Sequence, residues 1–200
     1  TAMALISVLR GLDGGVRVLS EINIGLAALL LLFVIIVGPT AIIFKTIFSG
    51  GIAHLKDIVP LSMPFGREDA NFSQGWTSFY WAWWIRWSPF VGMFIARISR
   101  GRTVREYFAV VLLAPFTICV VWFSAFGETA VAQHKSGVGE LSGEMTNASI
   151  TLFKMLHDMP FPEVTSGIAI LLLIVFIVTS ADSGALVVDT ITSGGKTNSP

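Results

Sequence analysis

GWTSFYWAWWIRWSPFVG, residues 75–92, holds five of the chain's six tryptophans between positions 76 and 87. The stretch 76–96 carries a single charge, Arg86, and matches the roughly 20 apolar residues of helix that a hydrocarbon core about 30 Å thick requires. A belt of aromatic residues at the headgroup level accounts for Trp76 and Tyr80. Trp84 and Trp87 lie further in, about 12 to 16 Å along a helix that rises about 1.5 Å per residue, where a belt does not reach. On a regular helix Trp76, Tyr80, Trp83, Trp84 and Trp87 share a face about 100° wide, with Trp81 at its margin. Close contacts between membrane helices favour Gly, Ala and Ser over bulky indoles, so this face reads as a binding surface. No Asp or Glu occurs between Asp69 and Glu106, so a cation recognised from this helix must be held by rings. A quaternary ammonium, which has no N–H to donate, is the cation suited to ring faces. Pro89, flanked by Ser88 and Gly92, is expected to kink or interrupt the helix just beyond Trp87, and broken helices near the midplane mark solute sites in secondary transporters.

Composition agrees with a membrane setting. Hydrophobic residues make up 54% of the 200-residue chain and charged residues 13%, with a mean hydropathy of +0.75, outside the range of soluble domains. Thirteen Lys and Arg balance thirteen Asp and Glu, which gives no reason to expect a nucleic-acid partner. Cys119 stands alone in an apolar run and forms no internal disulfide. The apolar start, residues 1–9, lacks a basic region and a cleavage site and reads as the tail of a cut helix, and the C-terminus also stops without an ending. The 200 residues are therefore read as an excerpt.

Four spans are expected, at about 24–44, 76–96, 107–126 and 164–188, the last carrying Asp182. The short connection 97–106, with Arg97, Arg100, Arg102 and Arg105, is placed in the cytoplasm by the positive-inside rule. The segment 127–163 then faces outward, in weak agreement with its five acids, Glu128, Glu140, Glu144, Asp158 and Glu163, against Lys135 and Lys154. Within it Ile150, Phe153, Met155 and Leu156 recur at helical spacing, as in a short interfacial helix that serves as connector or lid. Segment 47–64, punctuated by Gly50, Gly51, Pro60 and Pro64, is expected to lie at the interface.

The string from Trp76 through FYWAWW, WSPFVG and ARISRGRTVRE to Glu106 resembles the betaine/carnitine/choline transporter (BCCT) family. The likeness extends to LSEIN at residues 19–23, VGPT at 37–40 and TSADSGALVVDTITSGGK at 179–196. The last string looks most like the choline-transporting branch. The resemblance implies an all-α integral membrane protein, this chain being a fragment of a LeuT-like inverted-repeat transporter of twelve helices in the cell inner (plasma) membrane. It implies secondary active transport of a quaternary-ammonium compatible solute, choline first and betaine or carnitine next, by alternating access. By motif match Trp84 forms one wall of a tryptophan box, Trp87 and Trp83 line the same pocket, and Phe79 and Trp81 lie along the outer access route. In sodium-coupled members Phe90 falls near one ion site, while Phe176, Thr179 and Ser180 align with a second. The family likeness also implies homotrimers in contact with membrane lipid, coupling to sodium or protons, and no cofactor.

Arg86 departs from the small residue expected at its place. A guanidinium in mid-span is costly unless it faces water or a partner. It could modify ion coupling, bind a substrate carboxylate, snorkel, or pair with an acid on another helix. Asp182 is either a functional carboxylate, as intramembrane acids generally are, or a helix cap in the sequence Ser180-Ala-Asp-Ser-Gly184. An enzyme is a poor reading: His54, His134 and His157 fall in expected outer segments without metal-ligand spacing, and the glycines at 194–195 lack the earlier glycine of a phosphate loop. The rival function is a non-transporting membrane sensor or subunit that binds a quaternary amine.

Overall fold

In the computed structural model, residues 17–63, 65–66, 68–137, 139–141 and 148–194 are described. Residues 1–9, Pro64, Glu144, Gly195 and Lys196 lie outside the described residues. Among those described, 87% are helical and none is in a strand, which settles the all-α class. The elements are α1 (Arg17–Val37), α2 (Thr40–Ser62), α3 (70–98), α4 (Val104–Ser136), α5 (Thr151–His157) and α6 (Pro162–Thr192). Three stretches are long and apolar enough to cross a membrane, Val18–Val37, Val104–Ser136 and Pro162–Thr192. The aromatic helix α3 is not one of the three, because its indole and phenol groups and Arg86 lower its hydropathy.

Where one span was expected at 24–44, the backbone divides at Gly38 and Pro39 into α1 and α2. Pro39 has no amide to donate to the carbonyl four residues back, and the Thr40 hydroxyl takes its place by donating to the Ile35 carbonyl at 2.7 Å. The Gly38 amide still donates to Val34 at 2.8 Å, after which the Pro39 carbonyl accepts from Ile42 and Ile43 to open α2. The segment expected as an interfacial piece is the body of this second helix. Gly38 is needed for a tight approach: a Cβ there would sit 2.5 Å from the Val34 carbonyl oxygen and 2.8 Å from the Thr129 hydroxyl of α4. Gly38→Ala is therefore expected to destabilise the full-length protein by about 1–3 kcal/mol, the usual cost of overpacking. Gly25→Ala, with nothing within 4 Å of the added carbon, should be tolerated. Thermal unfolding in detergent compares the two.

Thr103 begins α4 with a reciprocal cap. The Glu106 amide donates to the Thr103 hydroxyl at 3.3 Å, and the Thr103 amide donates to the Glu106 carboxylate at 2.9 Å. The helix then passes through π-helical turns at Ala109–Leu113 and Phe123–Gly127 and ends at Gly137, whose φ of 66° suits a residue without a Cβ. Thus α4 continues well beyond the expected boundary at 126, and α6 reaches Thr192 where 188 was expected.

Two compact units divide the chain, Thr1–Phe48 with Phe116–Ser183, and Ser49–Pro115 with Gly184–Pro200. The first has a core in which Leu30 and Val34 of α1 meet Ile43, Ala125 and Phe126, with Ala169 of α6. Met155 and Leu156 of α5 are fully enclosed in that core together with Leu141 and Met159. The helix expected from the spacing in this segment is present, and its apolar face is packed on protein. The Gln133 side-chain amide pins it by donating to the Met155 carbonyl at 3.1 Å.

In the second unit the last turn of α2 is bound to α3. The Thr77 hydroxyl donates to the Leu61 carbonyl at 3.2 Å and the Trp81 indole N–H donates to the Ser62 carbonyl at 2.8 Å. Both acceptors belong to the end of a helix, where backbone carbonyls have no partner within the helix.

Candidate solute-binding site

The tryptophans of α3 are presented by a helix with two local adjustments. Ser73–Ser78 forms a π-helical turn that leads directly into the α-helical stretch Phe79–Ile98. Such a turn adds a residue to the local repeat, so the side chains after it are rotated relative to Trp76. The second adjustment is at Pro89. A kink or an interruption was expected there, and of the two the interruption is absent, since the helix runs through Pro89. Proline cannot donate to the Ile85 carbonyl, and the Ser88 hydroxyl does so instead at 3.0 Å. The acceptor freed by the proline is thereby satisfied, and continuity of the helix is retained.

Past the π turn the rings touch in a series. Trp76 stacks with Tyr80 at a centroid distance of 6.2 Å, Phe79 and Trp83 are 6.2 Å apart, Tyr80 lies 5.9 Å from Trp83 and 6.0 Å from Trp84, and Trp87 lies 5.8 Å from Phe90. These separations are in the range of favourable aromatic pairs, and such contacts limit the orientations each ring can take.

One side of this series borders an open cavity of about 500 Å³. Phe79, Trp83, Arg86, Trp87 and Phe90 line it from α3, with Ala82 between them, and Gly184 and Val188 line it from the end of α6. The spacing 79, 82–83, 86–87, 90 is one helical face. Ala82 lies four residues before Arg86 and three after Phe79, where a larger side chain would occupy the hollow. Gly184 has the same effect opposite, since a Cβ added there would meet nothing within 4 Å. These two small residues were missed in the sequence. Ala82 had a visible signal, as the smallest side chain in an otherwise bulky run, whereas Gly184 and Val188 had none.

Of the residues expected at the site, the structure gathers Phe79, Trp83, Trp87 and Phe90 around the cavity together with Arg86. Trp84 is outside the lining, 62% exposed and in ring contact with Tyr80. Trp81 is also outside it, engaged with Ser62. The face that borders the cavity thus differs from the expected aromatic face by a rotation about the helix axis, because the neighbouring end of α6 and the small Ala82 determine where space is left. Phe176, Thr179 and Ser180 are on α6 in the other unit, on one face at spacings of three and four residues. The single hydrogen of the Thr179 hydroxyl is shared between the carbonyls of Val175 at 3.0 Å and Phe176 at 3.1 Å.

Asp182, also on α6, is only 1% exposed, and among the described residues neither carboxylate oxygen has a hydrogen-bond partner. A capping carboxylate would accept backbone amides, and Asp182 accepts none. Of the two readings of this residue, the cap is set aside.

The lining of this hollow thus holds four aromatic rings, the guanidinium of Arg86 and no carboxylate. The family described as BCCT, betaine/carnitine/choline family transporter, matches residues 1–200, and the chain belongs to that family. It is 57% identical over its whole length to a glycine betaine/proline/choline transporter of Vibrio parahaemolyticus, covering 36% of that protein. A glycine betaine transporter of the same organism is 51% identical, again over the whole chain, with 38% of its own length covered. A betaine/ectoine transporter of Corynebacterium glutamicum is 42% identical over 96% of the chain, with 31% of its length covered. The chain therefore spans about a third of the relatives it matches, and those relatives are transporters, not enzymes.

Proposed function

We propose that the protein to which this chain belongs carries a quaternary-ammonium compatible solute across the cell membrane by secondary active transport, with alternating access to a site walled by the rings of α3. The observation that carries this reading is the cavity bounded by Phe79, Trp83, Trp87 and Phe90, where four rings and no acid meet. Ring faces attract a cation that has no N–H, and the attraction rises as water is excluded. Trp84 extends the aromatic surface beside Tyr80 and is proposed as a further wall. Phe90 is proposed near one coupling-ion site and Phe176, Thr179 and Ser180 at a second, where hydroxyl and carbonyl oxygens suit a small hard cation such as sodium.

Glycine betaine and choline are the solutes to test first. Both are named for the first relative, and betaine for all three. Labelled glycine betaine and choline should be taken up by a transport-deficient host that expresses the full-length protein, and uptake should fall when sodium, or in its place the proton gradient, is removed. Binding of either solute without accumulation in the host would establish a sensor in place of a carrier.

A further inference from the structure

Arg86 occupies the same hollow as the rings, next to Trp87 and one turn beyond Trp83. Among the described residues its guanidinium forms no hydrogen bond or ion pair. A lone cation held against Trp83 and Trp87 would therefore sit beside a fixed positive charge and be repelled by it. A solute that carries its own anion removes this conflict. We infer that Arg86 receives the carboxylate of a zwitterionic solute, so that the hollow selects N-methylated amino acids over choline. The inference rests on the reading of the hollow as the solute site.

The chemistry of the guanidinium favours this role. It stays charged at any physiological pH and presents a planar fork of donors that matches the two oxygens of a carboxylate. The distances agree as well. Arg86 is three residues past Trp83, about 4.5 Å along the axis. An amino-acid skeleton separates its nitrogen from the carboxyl carbon by two bonds of about 1.5 Å each. Because Trp83, Arg86 and Trp87 line one hollow, a small zwitterion held in it meets both the rings and the guanidinium. Ala82, one turn before Arg86, leaves the space between Arg86 and Phe79 free of any long side chain.

The test compares binding of glycine betaine and choline to the purified full-length protein and to Arg86→Gln and Arg86→Lys, read by quenching of tryptophan fluorescence in proteoliposomes. The wild type should bind glycine betaine more tightly than choline. Arg86→Gln should lose at least tenfold in glycine betaine affinity while choline affinity holds or improves, and Arg86→Lys should recover part of the loss. Retained choline binding also reports that the variant is folded. Equal losses for both solutes, as expected if Arg86 pairs with an acid elsewhere in the protein or serves ion coupling, would overturn the inference, as would an unchanged glycine betaine affinity. A wild type that binds neither solute would instead defeat the transport reading itself.

Discussion

Trp87→Leu is expected to weaken binding of a quaternary-ammonium solute by about thirtyfold. A desolvated cation–ring contact contributes about 2 kcal/mol, and each 1.4 kcal/mol is a factor of ten in affinity. Leucine retains an apolar surface but lacks the electron-rich face, so membrane insertion and folding should be unaffected. The control is within the same helix. Trp84 has its ring outside the cavity lining and against Tyr80, although the family likeness gives it a wall of the box. If the box wraps around α3, Trp84→Leu should match the loss at Trp87. A loss at position 84 with none at 87 would place the solute about 60° further round the helix and would contradict the hollow as the binding site. Equilibrium binding to the two purified variants decides between these outcomes.

Ala82→Phe is expected to abolish solute binding while the protein still inserts and folds. The methyl group of Ala82 is at the base of the hollow between Phe79 and Arg86, and a phenyl ring in its place would occupy the volume that the solute needs. Because Ala82 is not packed in a core within this chain, the larger side chain projects into the cavity without displacing the backbone. Ile85→Phe supplies the comparison, since Ile85 is 67% exposed and does not line the hollow. It should bind solute as the wild type does. Equal binding by Ala82→Phe and wild type would show that the cavity is not where the solute sits.

Much of the site was legible because tryptophan is rare and its density is hard to explain by packing. Residues 76–87 announced an aromatic helix, and the absence of acids nearby pointed to ring faces as the means of holding a cation. The direction in which that helix presents its rings was less accessible. Periodicity placed Trp84 on one face with Trp83 and Trp87, while the cavity is lined by Trp83, Arg86 and Trp87 without it. A helical wheel describes relative angles only, and the neighbour that bounds the empty side, here Gly184 and Val188, is almost a hundred residues away in the chain.

Proline shows the same division. Pro39 and Pro89 each leave a carbonyl without its amide, and in each case an adjacent hydroxyl, from Thr40 or Ser88, donates to that carbonyl. One site separates two helices and the other is passed without a break. The difference at the first is Gly38, where the α4 residue Thr129 comes too close for any Cβ. That approach is a tertiary contact, and nothing in the local residues encodes it.

By itself the amino-acid sequence determined the membrane setting, the helical class, the aromatic composition of α3 and the likeness to a transporter family. Each of these follows from residue type and short-range order, which set the solvent a segment prefers and the hydrogen bonds it can make alone. Only the tertiary structure decided where helices end, which rings border open space, that Arg86 shares that space, and that Asp182 is buried without a partner. Those features depend on which distant segments come together, and packing between helices is governed by shape at contacts that sequence separation conceals.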